Sequence, residues 1–311
     1  MAQESYRVKV PGSLMLFGEH AVLSGTQAIV CAINRYIYVT LTPRLDAVIK
    51  INSTEFGEYI TSIDNLTINK PYDYILTVIN QYAKKLKLGF NLHIESDFPS
   101  NIGFGSSAAV TVATLGILSL WFNTKPINLT KLYRQAVKVI KSVHGVGSGA
   151  DIAASIFGGV VAYKIKPIKI EKFDIKLPLT AVYCGFKTPT YKVIVIVEAK
   201  RAEFKNIFAG IYNLMDSCSK SAIEAIKNND LSKLGDLMNI NQGLQDAIGV
   251  NNNSLSSLIF KLRTMPNIYG AKISGSGLGD CIVGLGRVKA DEFDQEKIDL
   301  EISQNGLESQ V

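Results

Sequence analysis

Asp97-Phe98-Pro99-Ser100-Asn101-Ile102-Gly103-Phe104-Gly105-Ser106-Ser107-Ala108-Ala109 is the stretch on which the reading of this chain turns. Before it, Phe90–Glu95 alternates as a strand does. After it, Ala108–Phe122 is apolar all round, which predicts a central, buried helix. Gly103 and Gly105 let the backbone approach a ligand closely. Ser106 or Ser107 is a natural N-cap. Free N–H groups then converge at the positive end of the helix, a setting that suits a phosphate. The serine hydroxyls add hydrogen bonds or reach a phosphate-bound Mg²⁺. An ordinary glycine turn with a serine cap is the plainer alternative, yet paired glycines, serines and alanines in this order exceed what a turn needs.

Other phosphate motifs do not fit. No Gly-x-x-x-x-Gly-Lys-[Ser/Thr] occurs, and Asp97-Phe98 runs into Pro99 rather than completing a protein-kinase Asp-Phe-Gly. Gly103-x-Gly105-x-x-Ala108 matches a relaxed dinucleotide fingerprint, but that fold needs a second strand ending in an acid about 20 residues on. Asn123-Thr124-Lys125-Pro126 reads there as a turn.

Three more segments carry site-like chemistry. Val10-Pro11-Gly12-Ser13-Leu14-Met15-Leu16-Phe17-Gly18-Glu19-His20-Ala21-Val22 places Glu19 and His20 directly after a buried strand. His144-Gly145-Val146-Gly147-Ser148-Gly149-Ala150-Asp151 sets Asp151 at the start of an apolar helix. It serves there either as a cap or as a carboxylate that orients or deprotonates a hydroxyl. Lys272-Ile273-Ser274-Gly275-Ser276-Gly277-Leu278-Gly279-Asp280-Cys281 lies between two strands, and is either a glycine hairpin or a second loop packed on the first.

The remainder reads as two α+β domains. Strands are expected at Tyr6–Val10, Leu14–Phe17, Arg35–Leu41, Ala47–Ile51, Gly158–Ile165, Thr180–Phe186, Tyr269–Ser274 and Asp280–Leu285. Helices are expected at Tyr72–Leu86, Leu132–Val143, Phe204–Ile226, Leu231–Ile248 and Ser254–Met265. Val193–Val197 fits strand or helix. Lys- and Pro-rich Lys164–Pro178 is the candidate boundary, giving domains of 1–170 and 171–311, and the acidic tail after Ala290 reads as peripheral.

The chain has 311 residues, 47% hydrophobic and 19% charged, which excludes global disorder and supports a large core. The net charge of +6 is dispersed, so a solvated basic surface is expected rather than a nucleic-acid groove. Cys31, Cys184, Cys218 and Cys281 are far apart and read as small apolar residues. His20, His93 and His144 lack metal-ligand spacing. No signal peptide or membrane span is read, so a cytoplasmic protein is expected, with neither nucleic acid nor membrane as partner.

Taken in order, the four segments resemble the GHMP kinase superfamily; Gly18-Glu19-His20-Ala21-Val22 with Gly25 looks most like its mevalonate kinase branch, while Gly147-Ser148-Gly149-x-Asp151 and Gly279-Asp280-Cys281 look nearer to its phosphomevalonate kinases. The resemblance implies a GHMP kinase-like two-domain α+β fold, with an N-terminal α+β domain and a C-terminal ferredoxin-like domain. ATP and Mg²⁺ would bind between them, and the γ-phosphoryl would pass to a primary alcohol, with mevalonate first. Phosphomevalonate is the alternative acceptor, and a non-catalytic ATP-binding sensor is the third reading.

Carried over, Pro99, Asn101, Gly103, Phe104, Gly105, Ser106, Ser107 and Ala108 would wrap the triphosphate, with Ser107 at Mg²⁺ and Gly275 and Gly277 in the second loop. Asp151 would act on the hydroxyl, while Glu19, His20, Ser13 and Thr190 would border the small-molecule substrate. A homodimer is the oligomeric expectation. Two positions depart from the family: Ser13 stands where it usually has Lys, and Ile140 where mevalonate kinases have a Mg²⁺-binding Glu. Lys9 shares the strand face of Ser13 but lies roughly 13 Å away at about 3.3 Å per residue. Lys187 and Lys192 are the other cations that the resemblance brings toward the site.

Overall fold

The computed structural model describes residues 5–122, 126–289 and 297–310. The expected turn at Asn123–Lys125 and the start of the tail, residues 290–296, lie outside the described residues. In chain order the elements are β1 (Tyr6–Phe17), β2 (Ala28–Pro43), β3 (Val48–Ser53), β4 (Gly57–Ser62), α1 (Asp73–Gln81), β5 (Phe90–Ser96), α2 (Ser106–Trp121), α3 (Leu129–His144), α4 (Ala150–Phe157), β6 (Val160–Ile165), β7 (Ile168–Phe173) and β8 (Leu179–Tyr183). They continue with α5 (Thr190–Glu203), α6 (Lys205–Lys227), α7 (Leu231–Ala247), α8 (Asn253–Arg263), β9 (Ile268–Ile273), β10 (Cys281–Gly286), β11 (Lys297–Leu300) and β12 (Glu308–Gln310). None of the described helices is long and apolar enough to cross a membrane.

β2 is the spine of the first sheet, whose main path runs β12-β1-β2-β5-β3-β4. One half of β2, from Ala28 to Cys31, pairs with β6, and the other, from Ile37 to Pro43, pairs with β5. β1 runs alongside both halves as one strand rather than two. Its register shifts between Pro11 and Ser13, where the missing proline N–H is accommodated. α2 packs on β1 and β2. It is buried on nearly every face from Ala108 to Leu120, as its apolar sequence requires.

The second sheet has the antiparallel order β11-β8-β10-β9, which is strand order 4-1-3-2 of a ferredoxin-like unit. Val193–Val197 resolves as helix within α5, with Val193 and Val197 buried one helical turn apart and Val195 and Ile196 exposed. The Lys- and Pro-rich stretch is not a linker throughout, because β7 within it closes a hairpin on β6. The tail also departs from expectation. β11 joins the second sheet, and β12 pairs with β1 in the first. Leu300, Ile302 and Ser303 are buried, and Leu307 packs at Gly116 of α2. Apolar residues at 298, 300, 302 and 307 outweigh the tail's acidic composition.

The two halves meet through a buried ion pair. Lys272 of β9 and Glu19, just beyond β1, have side chains 0% and 2% exposed, and the ammonium donates to Glu19 Oε1 and to the Ile273 carbonyl. Ser274 Oγ donates to the Met15 carbonyl at 3.0 Å, and Cys281 Sγ approaches the Ile102 carbonyl at 2.9 Å. Removing one partner leaves an uncompensated buried charge. Lys272→Met is therefore expected to lower the unfolding free energy by about 3–5 kcal/mol, with most of it regained in Lys272→Met/Glu19→Met. Denaturant titration checks this, and a double variant no more stable than the single one would contradict it.

Candidate active site

The glycine-rich segments converge on one cleft of about 560 Å³ between the two domains. Its floor is the start of α2. Gly105 is the N-cap, in the left-handed region at φ 66°, and no side chain caps the helix. This corrects the serine-cap expectation. Ser106 and Ser107 sit inside the first turn and line the cleft, and no side-chain oxygen caps the helix there. Gly105 is required twice over, by its φ and because a Cβ there would lie 2.2 Å from Ser13 Oγ.

Ser13 Oγ donates to Asp151 Oδ1 at 3.0 Å. Asp151, on the first turn of α4, lines the cleft and retains partial exposure there. Desolvation raises its pKa; the Ser13 hydrogen bond works in the opposite direction, and the negative charge of Glu19 adds to the rise. The α4 entry is held by the Tyr133 hydroxyl, 2.8 Å from that of Tyr163, and by Tyr163, which donates to the Ser148 carbonyl.

His20 lines the same cleft with the backbone strained at φ 60°, and Nε2 donates to the Ser276 carbonyl at 2.8 Å. Burial lowers its pKa, so the ring is neutral at pH 7. Glu19 keeps one buried oxygen, Oε2, without a partner. Thr190 opens α5 on the rim, next to Tyr191, whose ring stacks on His144 with centroids 6.2 Å apart.

Among the residues singled out in the sequence, Gly103, Gly105, Ser106, Ser107, Ala108, Asp151, Glu19, His20, Thr190 and Gly275 line the cleft. Ser13 is buried behind Asp151. Phe104 turns into the core against Phe98, and its carbonyl accepts from Ser13 N at 3.0 Å. Pro99 faces a small neighbouring hollow, and Asn101 is exposed outside the cleft. Gly277 packs on Val250, whose carbonyl would lie 2.5 Å from a Cβ.

Of the candidate cations, Lys187 lines the cleft and donates to the Ser100 carbonyl at 3.0 Å. Lys192 is not among the lining residues. Lys9 is occupied elsewhere, 3.5 Å from Glu308 and 3.9 Å from the Tyr36 ring centroid. Neither Lys272 nor Asp280 has a role that the sequence alone assigns. The available signal was a lysine among inward-facing residues of a buried strand, and an acid ending a glycine run.

Family models match in the same order as the domains: "GHMP kinases N terminal domain" over residues 73–159 and "GHMP kinases C terminal" over 222–306. The mevalonate kinase of Thermococcus sibiricus is 33% identical over 303 residues, covering 91% of this chain and 89% of that protein. That of Thermococcus gammatolerans is 31% identical over 304 residues, with 91% and 89% covered. Among solved structures, Leishmania major mevalonate kinase in complex with R-mevalonate superposes with a TM-score of 0.79 at 25% identity, covering 96% of each chain. The Methanococcus jannaschii mevalonate kinase has a TM-score of 0.82 at 22% identity, covering 97% of this chain and 99% of that one, and bears on the fold alone. With both family models matched and relatives above 30% identity running along nine-tenths of its length, this chain belongs to the GHMP kinase family.

Proposed function

We propose that this protein transfers the γ-phosphoryl group of ATP to the primary hydroxyl of mevalonate. The observation that carries the reading is the Ser13–Asp151 contact, which holds a carboxylate behind Gly105 and beside the uncapped start of α2. The relatives named as mevalonate kinases supply the acceptor.

Phosphoryl transfer asks a protein chiefly for positioning and for control of charge. The N–H groups at Ser106, Ser107 and Ala108 receive the nucleotide's phosphates, reinforced by the α2 dipole. The base would meet Phe56, half exposed on the cleft wall with the buried Tyr72 ring edge-on to it at 6.3 Å. Mg²⁺ bound with the nucleotide would supply charge neutralisation on the phosphates, and Ser107, a cleft-lining residue, would help hold it.

Asp151 accepts the hydrogen bond of the acceptor hydroxyl and takes its proton as the oxygen becomes nucleophilic. Ser13 fixes the carboxylate's orientation but, unlike a lysine, brings no charge. The neutral His20 ring and the free oxygen of Glu19 offer the acceptor one edge of polar contacts. Met15, Leu23 and Ile194 form the apolar wall beside it. A phosphomevalonate acceptor would need added cations: Lys9 is tied to Glu308, and Lys187, which does line the cleft, donates to the Ser100 carbonyl.

Asp151→Asn is expected to lower turnover by roughly 10²–10⁴-fold while nucleotide affinity stays close to native. Coupled ADP-release kinetics with a parallel binding titration check this, and unchanged turnover would remove Asp151 from the mechanism. Because burial raises the Asp151 pKa above 3.8 and the base acts ionised, activity is lost as pH falls through that raised value. The acid limb of kcat/KM for mevalonate should therefore lie above the ordinary aspartate range. A limb at or below that range would contradict the assignment.

A further inference from the structure

The geometry points to Asp280, on the glycine loop of the second domain, as the carboxylate that binds the divalent cation carried by the nucleotide. This rests on the nucleotide reading above and adds a metal ligand that neither the sequence motifs nor the relatives assign. Asp280 is 4% exposed and lines the cleft, and its Oδ1 is buried with no hydrogen-bond partner. It faces the phosphate loop directly: a Cβ on Gly103 would lie 2.9 Å from Asp280 Cβ and 3.6 Å from Oδ1.

The backbone on both sides fixes this direction. Asp280 N donates to the Phe186 carbonyl at 2.9 Å, and its carbonyl accepts from Cys184 N at 3.0 Å. The residue is held in the left-handed region at φ 65°, a strained setting more often given to glycine. A buried, unpaired carboxylate in a strained backbone is costly unless a cation completes it.

Each of the other carboxylates lining the cleft already has a donor on at least one oxygen, although Glu19 Oε2 is left without one. Glu19 takes the Lys272 ammonium, and Asp151 accepts from Ser13. Glu55 accepts from Ser100 N at 3.0 Å and from Ser100 Oγ at 2.6 Å, and Asp73 accepts from Tyr74 N at 3.2 Å. Ile140, where the family resemblance leads one to expect a metal-binding Glu, offers no oxygen. Among the described residues, no group of three or more His, Cys, Asp or Glu is placed to hold a metal by itself. That pattern suits Mg²⁺, which is commonly held by one or two carboxylates together with phosphate oxygens and water. Lys187 lies close enough to influence Asp280, but it is exposed and donates to the Ser100 carbonyl.

The test is Mn²⁺ binding, followed by electron paramagnetic resonance, to the full chain with and without a non-hydrolysable ATP analogue. Native protein is compared with Asp280→Asn and with Asp280→Gly, the latter suited to the positive φ. Both variants are expected to weaken Mn²⁺ binding to the protein–analogue complex by roughly tenfold or more, while the metal-free analogue binds as well as or better than to native protein. Mn²⁺ affinity within about twofold of native in either folded variant overturns the proposal, as does a parallel loss of metal-free analogue binding. Native protein that fails to bind the analogue at all overturns the nucleotide reading itself, and the metal ligand with it.

Discussion

The Lys272–Glu19 pair is the contact on which the rest of the architecture depends. It joins β9 of the second sheet to the turn after β1 of the first, with both charges removed from water. A buried ion pair contributes little net stability against an apolar substitute, because desolvation offsets the attraction. Its value lies in specificity. The docking that satisfies both charges also brings the Ser276 carbonyl to His20 and the Asp280 side chain to Gly103.

The cleft is therefore organised by where negative charge is compensated. Glu19 has its ammonium. Asp151 has a hydroxyl, and burial raises its pKa. Asp280 has no donor on its buried oxygen, and burial pushes its carboxyl up to about 6. Opposite these acids stands the open N-terminus of α2. A nucleotide with its cation supplies both what the helix lacks and what the acids lack: anionic oxygens for the amides and positive charge for a carboxylate. The absence of lysine at position 13 is coherent with this arrangement, since the small serine fits against Gly105, where a Cβ would already meet its hydroxyl.

Much of the fold is legible in the sequence where one element satisfies its own pattern. The nearly apolar run of α2, interrupted from Ala108 on only by Thr111, Thr114, Gly116 and Ser119, points to a central helix, and Gly103 and Gly105 mark positive-φ positions before it. Features set by distant partners are harder to read. The serine cap follows from local preference, yet Gly105 takes the cap because Ser13, from β1, occupies the space beside it. The tail looks peripheral by charge, but β12 completes an edge of β1 that only the folded sheet creates. β4 and β7 are half exposed and carry charged residues; β4 lacks apolar alternation, and the Ile168-Lys169-Ile170-Glu171 alternation of β7 is masked by the Lys- and Pro-rich stretch around it. Lys272 and Asp280 escape notice for a related reason: a buried charge is recognised by its partner or by the lack of one, and neither is visible along the chain.

The most direct test of this account is a crystal structure of the protein with a non-hydrolysable ATP analogue, Mg²⁺ and mevalonate. The account predicts phosphates on the amides of Ser106 to Ala108 and the acceptor's primary hydroxyl within hydrogen-bond distance of Asp151. A triphosphate seated away from the start of α2, or a hydroxyl turned away from Asp151, would contradict it.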